Sequence, residues 1–538
     1  MQARRAAAFL TAVLIPLLSF SEELTVLKRL AAQGTAVPSG TVCEGVVVSD
    51  WRSANMDLNP NFTAAKLDLH ASLRTAYVST PDGSFGVRLV FDTPSENRLE
   101  RWDRVSFCLD GCSVETDAET GAVTVRGLTG RSVLGASHGE PLPPKLRTVG
   151  ELQDSDIYTL VTLRDIDVVF KDGSWANVHE EYAPFCPELH SDADYTAQGR
   201  MDGWATLLRD VRGDELYMLV NLMCPWRRDG RGVPQGSGDV RGIVVHTELP
   251  RYGGNIGRYS IRPAGREDIM ISSGKSAWKT LVAWEKPSET GPKLDFEIMG
   301  TVGNLFKEGR RNDRILNDAG SSTAWFWTDS GSEIRVFSGY NALDAKGKGF
   351  VPYGSIMFIG RSADWFEWSS DTEISDSRAF WFSFSTKRQK SGTLQFNFEW
   401  SAGTQDGNRS WGFPAEWTVE CSVDGRTWER LHETATGAES FILRPVPWRT
   451  GRIAGSGHDF AKSPSFDSGI GPQQRSFTLP QYALGQQEVL IRLAPASTAM
   501  SSVRVRFLSP TVSGNITRKD TDRETWIRFE SVKIDYRQ

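Results

Sequence analysis

The chain has 538 residues, which is too many for a single hydrophobic core, so about two to four domains are expected. Apolar residues make up 39% and charged residues 24%, as in ordinary soluble globular proteins, and the net charge of −6 argues against a dedicated nucleic-acid binder. There are 50 glycines and 18 tryptophans but no long stretches rich in Ala, Leu, Glu and Lys, so the composition favours many short strands over a helical protein.

The N-terminus has the layout of a secretory signal peptide, predicted over residues 1–21. Arg4 and Arg5 precede a short apolar run, and Ser19 and Ser21 follow it with the spacing of a cleavage site. We therefore predict export to the periplasm, the cell surface or the extracellular space; a buried terminal helix is the alternative. No cysteine follows the run to carry a lipid anchor, and no later stretch is apolar enough to span a bilayer.

A first β unit is predicted over residues 37–138, after one short helix in ELTVLKRLAAQGTAVPSG. TVCEGVVVSD has strand composition, and RTAYVSTPDGSFGVRLVFD gives two strands around a Pro-Asp-Gly turn. RWDRVSFCLDG and AVTVRGLTGRSVLG supply further strands. The Pro-rich segment GEPLPPK at 139–145 then predicts a linker.

The same order recurs in a second unit, predicted over residues 146–270. IYTLVTLRDIDVVFKDGSW predicts a long, bent strand, and GWATLLRDVRGDELYMLVN predicts a pair of strands around a turn. GDVRGIVVHTELP and GRYSIRP complete the unit. About five strands in each unit suit a small Greek-key barrel of the OB type. Two such barrels in tandem are therefore expected.

Residues 276–538 form a third region, which holds 13 of the 18 tryptophans. SGTLQFNFEWSAG, EWTVECSVDGRTWERL, QEVLIRLAP and ETWIRFESVKIDYRQ alternate apolar and polar residues, and Asp424-Gly425 between two such runs is a hairpin signal. We predict a large jelly-roll-type β-sandwich, with room for a small subdomain at its start. The predicted fold class is therefore all-β: two OB-like Greek-key barrels followed by this sandwich.

Two resemblances follow from these segments. Residues 37–270 resemble a domain family of unknown function that occurs in exported bacterial cell-envelope proteins and is built of OB-like halves. The segments that carry this resemblance are EGVVVSD, GVRLVFD, RWDRVSFCLDG, IYTLVTLRDIDVVFKDGSWANVHEEYA and GDVRGIVVHTELPRYGGNIGRYSIRP. Members of this family are often lipoproteins, an attachment for which this chain lacks the cysteine. WTVECSVDGRTWERL and WIRFESVKIDY resemble discoidin-like or carbohydrate-binding sandwiches. Neither resemblance implies a catalytic role.

Three short motifs look catalytic or nucleotide-binding but have the wrong context. GGNIG is followed by the alternating RYSIRP and a proline, so it predicts a closing strand with Arg258 and Arg262 on its outside and not a phosphate loop. GKS lacks the glycine that a Walker A motif needs at position 269. Ser137 in GASHG precedes a Pro-rich segment, where the helix of a nucleophile elbow cannot start.

The titratable residues predict no metal or cofactor site. His179, Cys186 and His190 are the densest set of donor side chains, but their spacing is not that of a zinc site, so a solvated loop is the preferred interpretation. The sequence does not decide whether the chain binds a structural calcium ion. Export permits disulfides, and CLDGC could close a small hairpin if Asp110-Gly111 forms the turn; two thiols along a strand are the alternative.

The aromatic clusters carry the candidate binding residues. AWFWTDSG, DWFEWSS and AFWFSFS lie close together in sequence, and indole faces stack on sugar rings. Trp325 and Trp327, or Trp365 and Trp368, are predicted to form such a platform. Alternating aromatics in a sandwich are more commonly core residues, so the sequence leaves both interpretations open.

The sequence therefore predicts a non-catalytic exported cell-envelope protein that binds a polysaccharide or another surface component through its C-terminal sandwich. Two alternatives remain open at this stage. One is a secreted hydrolase whose site is assembled from distant residues, and the other is a protein-binding adhesin or scaffold.

Overall fold

The computed structural model describes most of the three predicted regions. The described residues are 21–33, 37–53, 55–57, 70–171, 177–178, 203–221, 224, 226, 233–234, 236–248, 255–272, 274, 276–284, 315–316, 324–330, 332–343, 350–360, 362–368, 374–404, 416–442, 470–496 and 525–538. The predicted signal peptide, apart from Ser21, and the histidine-rich loop at 179–190 lie outside this set. Within it, no helix is long and apolar enough to cross a membrane.

The first unit consists of strands and two short helices. In chain order these are β1 (Ser21–Glu23), α1 (Val26–Gln33), β2 (Val42–Val47), α2 (Ala71–Arg74), β3 (Thr75–Ser79), β4 (Gly86–Phe91), β5 (Asp103–Cys108), β6 (Ser113–Thr116), β7 (Val123–Leu128) and β8 (Val133–His138). The predicted helix after the N-terminus is α1. Alternation along β5 buries Asp103, Val105 and Phe107 and leaves the residues between them half-exposed, as expected for a strand with one face on a core.

The first unit has the strand connectivity of an OB-type Greek-key barrel. β2 lies between β3 and β5 and pairs antiparallel with both, and β3 pairs antiparallel with β4. β4 then pairs parallel with β7, which gives the order β5-β2-β3-β4-β7. β6 and β8 extend the two ends of this sheet.

The second unit repeats this connectivity. Its elements are β9 (Lys145–Arg147), 3-10 helices Val149–Glu151 and Asp154–Asp156, β10 (Leu160–Val168), β11 (Asn177–Val178), β12 (Gly203–Trp204), β13 (Thr206–Arg209), β14 (Glu215–Met218), β15 (Ser237–Val245), β16 (Ser260–Arg262), 3-10 helix Arg266–Asp268 and β17 (Ile269–Ile271). β10 pairs with β13 and β15, β13 with β14, β14 parallel with β16, and β16 with β15. These pairings close a five-stranded barrel. The predicted long, bent strand is β10, which carries a bulge between Leu163 and Ile166.

The third region begins at β18 (Lys279–Ala283). It continues through β19 (Ile315–Leu316), β20 (Trp325–Thr328), β21 (Glu333–Leu343), β22 (Phe350–Gly360), α3 (Ser362–Trp365), β23 (Phe366–Trp368), β24 (Ile374–Ser377), β25 (Phe380–Phe384), β26 (Thr393–Thr404), β27 (Glu416–Ser422), β28 (Glu429–Arg430), β29 (Phe441–Ile442), β30 (Ile470–Thr478), 3-10 helix Gln481–Ala483, β31 (Val489–Pro495) and β32 (Thr525–Arg537).

Two antiparallel sheets form this sandwich. One has the order β21-β22-β32-β26-β30 with β18 beside β32, and the other has the order β19-β20-β25-β31-β27-β28 with β29 beside β27. The chain changes sheet at successive long strands from β25 to β32, as expected of a jelly-roll-type fold. The prediction of an all-β protein with barrels and a sandwich is confirmed.

Aromatic side chains fill the space between the two sheets. Trp284, Trp365, Trp400 and Trp417 are at most 1% exposed and pack with a set of phenylalanines, including Phe380 and Phe529. Many of the rings meet edge to face, as for Trp400 against Trp417 with centroids 5.2 Å apart. Each such side chain contributes about 2–3 kcal/mol through its burial, so the core alone explains part of the tryptophan content.

A buried ionic network joins the second barrel to the sandwich. Arg209 of β13 is 2% exposed and lies 3.0 Å from the carboxylate of Asp167 in β10 and 2.8 Å from that of Asp535 in β32. Its guanidinium also lies 4.2 Å from the centroid of the Trp278 ring. Lys533 adds a second cation, 3.3 Å from Asp535. The outer face of the sheet that contains β26 and β32 is therefore covered by the barrel.

Candidate ligand-binding surface

Alternation in β20 and β25 separates the two kinds of aromatic residue. Phe326 in β20 and Phe380 and Phe382 in β25 are fully buried between the sheets. The residues next to them, Trp327 and Trp381, point to the opposite face and are half-buried. On these two strands, the outer face thus carries indole rings and the inner face carries phenyl rings.

Strand register places Trp327 and Trp381 in one row with three charged residues. Trp327 is directly opposite Trp381, Trp381 is opposite Arg492 in β31, Arg492 is opposite Glu420 in β27, and Glu420 is opposite Arg430 in β28. Residues that are opposite each other in an antiparallel sheet share a face and touch. We call these five residues the outer-face row.

The contacts along the outer-face row are close and ordered. The Trp327 and Trp381 rings stack with centroids 6.0 Å apart and an angle of 9° between their planes. Glu420 accepts from Arg492 Nε at 2.8 Å and from Arg492 Nη2, and lies 3.4 Å from Arg430. Two guanidiniums share one carboxylate, so the charged half of the row carries a net positive charge.

Trp428 packs against the middle of the row. Its ring meets Trp381 edge to face at 5.4 Å, and the Arg492 guanidinium lies 4.6 Å from its centroid, within cation–π range. Arg492 therefore touches an indole on one side and a carboxylate on the other. This arrangement fixes the guanidinium plane.

A tight turn between β27 and β28 holds Trp428 in place. Asp424 accepts from the backbone N–H groups of Thr427 at 2.7 Å and Arg426 at 2.8 Å, and these bonds hold the pKa of Asp424 well below its usual range. Gly425 has φ +67°, which an L side chain rarely adopts. The predicted Asp-Gly hairpin is confirmed, and Gly425 of its turn lies three residues before Trp428.

The four predicted platform tryptophans have different environments. Trp325 and Trp327 alternate with core residues and lie half-buried on the outer face. Trp365 is 1% exposed and packs against Phe380 and Trp417 in the core, so it offers no face to a ligand. The side chain of Trp368 lies outside the described residues. The pairing of Trp365 with Trp368 as a platform is therefore dropped.

Sequence reasoning missed Trp381, Trp428 and Arg492. A signal was present, because Trp381 sits between Phe380 and Phe382 just as Trp327 follows Phe326, so the two segments have the same alternation. Alternation does not tell which face points inward, however, and the partnership with Arg492 depends on strand register.

The closing strand of the second barrel corrects another expectation. Arg258 is exposed and bonds to Asp154 at 2.7 Å, as expected. Arg262 is 3% exposed, and its burial lowers its pKa. The prediction that Arg262 lies outside is wrong, because Asn55 of the first unit covers this face and Asn221 accepts from Arg262 Nη1 at 3.3 Å. Ser137 lies on the exposed strand β8 and not in a nucleophile elbow.

The buried network between barrel and sandwich is the other concentration of charge. Three of its carboxylates are engaged: Asp167 and Asp535 by Arg209, and Glu433 by Arg475 at 2.8 Å. Burial by itself raises the pKa of Asp535, but Lys533 and Arg209 lower it to about 2. In the described part of the chain, no three His, Cys, Asp or Glu side chains form a group that could hold a metal ion.

A groove of about 760 Å³ lies on the first barrel. Its floor comes from β2, β5 and β8, and its walls come from residues 23–25 and 80–84. Asp82 on its rim is bound by the Thr80 hydroxyl and the Ser84 amide and hydroxyl, which lower its pKa to about 2. An acid of this kind stays ionised at neutral pH and cannot serve as a general acid.

Comparison with known proteins gives little further information. No protein-family model matches the chain, and no curated protein matches it significantly. The K1 cleaved adhesin domain of Lys-gingipain from Porphyromonas gingivalis W83 aligns at 12% identity with a TM-score of 0.19, over 39% of this chain and 89% of that one. The K3 cleaved adhesin domain of the same protein aligns at 12% identity with a TM-score of 0.18, over 48% and 91%. Similarity at this level does not assign a function.

Proposed function

We propose that this chain is a non-catalytic, exported cell-envelope protein that binds a glycan through the outer-face row of its C-terminal sandwich. The observation that carries the proposal is the alignment of Trp327, Trp381 and Arg492 on one face, with Trp428 beside them. The signal-like N-terminus and the resemblance of residues 37–270 to exported envelope proteins support the location.

The chemistry of the row suits a sugar ring. Indole surfaces accept the apolar C–H faces of pyranose rings, while the guanidiniums donate to ring hydroxyls and Glu420 accepts from them. Stacking and ion pairing already restrict these side chains, so a ligand would pay little additional conformational entropy to order them. The row lies along the sheet, perpendicular to its strands, and could contact successive sugar units.

The test is affinity electrophoresis of the full chain in gels that contain single polysaccharides, with tryptophan fluorescence as a second readout. Trp327→Ala removes one end of the row and is expected to weaken binding by about 3- to 10-fold, the value of one stacking contact. Trp51→Ala is the matched control, since Trp51 is also a half-buried tryptophan beside an arginine, Arg98 at 4.8 Å, but lies in the first unit.

Each outcome separates the proposal from its alternatives. If Trp327→Ala and Trp51→Ala lose binding equally, the glycan does not bind at the outer-face row. Release of reducing sugar ends during incubation would favour the secreted hydrolase. If no polysaccharide retards the protein and none changes its tryptophan fluorescence, the protein-binding adhesin or scaffold becomes the preferred function. Melting curves of both variants exclude global unfolding as the cause of a loss.

A further inference from the structure

The two barrels differ at the place where each sheet should close. In the second barrel the fourth and fifth strands, β15 and β16, pair at residues 243–245 and 260–262. The corresponding strands of the first barrel are β5 and β7, and within the described chain no hydrogen-bonded ladder joins them. The first barrel therefore has a seam between β5 and β7 that backbone pairing does not close.

Two turns cross this seam and touch each other. The turn after β5 is fixed by a bond from Cys112 N to Leu109 O at 3.0 Å, and the Gly40 N–H donates to Asp110 Oδ1 at 2.7 Å. The second turn follows β7, and its Ser132 O accepts from Cys108 N at 2.8 Å.

Cys108 and Cys112 lie at the two ends of the first turn, on either side of the seam. The Cys112 thiol points at Gly127 O of β7, 3.7 Å away, while Cys108 is the last residue of β5. A Cβ built on Gly127 would lie 3.8 Å from Cys112 Cα, so the turn packs directly on β7. The predicted turn at Asp110-Gly111 is present, with Gly111 at φ +79°.

The remaining described cysteines have a different environment. Cys43, Cys224 and Cys421 are each 0% exposed, and each lies in a different hydrophobic cluster. Cys108 and Cys112 are both half-exposed. Among the described thiols, only these two are therefore neighbours within reach of a solvent-borne oxidant.

We propose that Cys108 and Cys112 form a disulfide that fixes the turn packed across the seam of the first barrel. This site is independent of the outer-face row and of glycan binding. The bond would hold this turn against β7 at the place where β15 pairs with β16 in the second barrel.

The oxidant is a low-molecular-weight disulfide such as oxidised glutathione. Cys108 Sγ, which accepts from the Asp110 N–H at 3.5 Å, loses its proton, attacks one glutathione sulfur and releases one glutathione thiol. Burial and the neighbouring Cys108 raise the pKa of Cys112 to about 11, so Cys112 is the slower thiol to react and takes the second step. There it loses its proton, attacks Cys108 Sγ and releases the second glutathione thiol. Two protein thiols are oxidised and one glutathione disulfide is reduced.

The test is peptide mapping of the full chain after incubation with oxidised glutathione, alkylation in denaturant and trypsin digestion. Cleavage after Arg104 and Arg126 gives a peptide that contains both cysteines and no other. The expected peptide is about 2 Da lighter than its reduced form and unlabelled, and dithiothreitol restores both alkylation sites. Two labels, two glutathione adducts or a link to a third cysteine would overturn the proposal.

A stability measurement provides the second readout. Oxidation is expected to raise the Tm of the wild-type chain by about 2 °C, because it restricts the unfolded chain around the turn. Cys112→Ser is expected to show no such shift under the same treatment. A shift of the same size in Cys112→Ser would place the effect at another thiol.

Discussion

Glu215 is a buried acid whose burial its neighbours compensate only in part. It is 5% exposed at the start of β14, in the interface between the second barrel and the sandwich. Burial raises its pKa to about 8, although Ser476 and Arg209 favour its ionised form. Glu215 therefore holds a proton at neutral pH inside an interface where the other acids are paired.

This makes Glu215 a source of pH-dependent instability. The ordinary pKa of 4.5 applies in the unfolded chain, so below pH 4.5 both states are protonated and the residue contributes nothing. Between pH 4.5 and 8 the unfolded state loses its proton first, and the folded state loses stability by about 1.4 kcal/mol per pH unit. Glu215→Gln should remove this slope, so the variant is expected to be more stable than wild type at pH 8 by a few kcal/mol in urea denaturation.

Glu433→Gln is the matched control. Glu433 is as buried as Glu215 but is bound by Arg475 at 2.8 Å. Its neutralisation leaves a buried guanidinium without its carboxylate, so the free energy of unfolding should fall at pH 8. If both variants change stability in the same direction, the assignment of Glu215 as only partly compensated is wrong.

For single residues, the sequence identified candidate binding residues, but it did not tell which of them are buried and which lie on the surface. The indoles of Trp327 and Trp365 look alike in their segments, yet the first lies on the outer face and the second in the core. Arg262 reads as a surface residue of a closing strand because the contact with Asn55 spans 207 positions of sequence. Contacts of this range depend on how domains pack, which local periodicity does not encode.

Elements were more accessible to prediction. Runs of strand-forming residues on either side of Pro-Asp-Gly and Gly-Asp turns predicted β3, β4, β13 and β14. The Asp-Gly pair after β27 predicts its hairpin because few residues tolerate the backbone angle that Gly425 adopts. The register between strands distant in sequence, such as β25 with β31, is set by packing, and the outer-face row depends on it.

A substitution at Gly425 tests whether the turn of this hairpin depends on a positive φ angle. Gly425→Ala adds a Cβ in ordinary contact with Leu490 Cδ1 at 3.5 Å, so the cost comes from φ +67° alone. The free energy of unfolding is expected to fall by about 1 kcal/mol in chemical denaturation.

Gly135→Ala is the control for this effect. Gly135 lies on the exposed strand β8, where an added Cβ meets nothing within 4 Å and φ is ordinary. Its stability should stay within about 0.5 kcal/mol of wild type. Equal losses in the two variants would mean that the turn conformation is not the cause.

On the scale of the whole molecule, Arg209 is the residue that joins two domains. It pairs with Asp167 of the barrel and Asp535 of the sandwich, and Gln395 accepts from its Nη1 at 3.2 Å. Arg209→Ala leaves both carboxylates buried without this partner. The expected loss is about 3–5 kcal/mol in the free energy of unfolding.

An exposed inter-domain arginine supplies the comparison. Arg258 is 40% exposed and bridges Asp154 of the second barrel to Glu119 of the first unit. Arg258→Ala should cost less than about 1 kcal/mol, because water screens the pair. A loss for Arg209→Ala as small as that for Arg258→Ala would show that the network contributes little to domain packing.

The second barrel covers one face of the sheet that contains β26. This contact limits which fragments of the chain can be produced separately. A fragment that begins near residue 276, at the start of the third region, would expose Gln395, Glu399 and Asp535 to water, although the second barrel buries them in the full chain. Recombinant production of the sandwich alone is thus a poor route to its binding properties. By the same logic, gene rearrangement could transfer the second barrel and the sandwich to another protein as a pair more readily than either one singly.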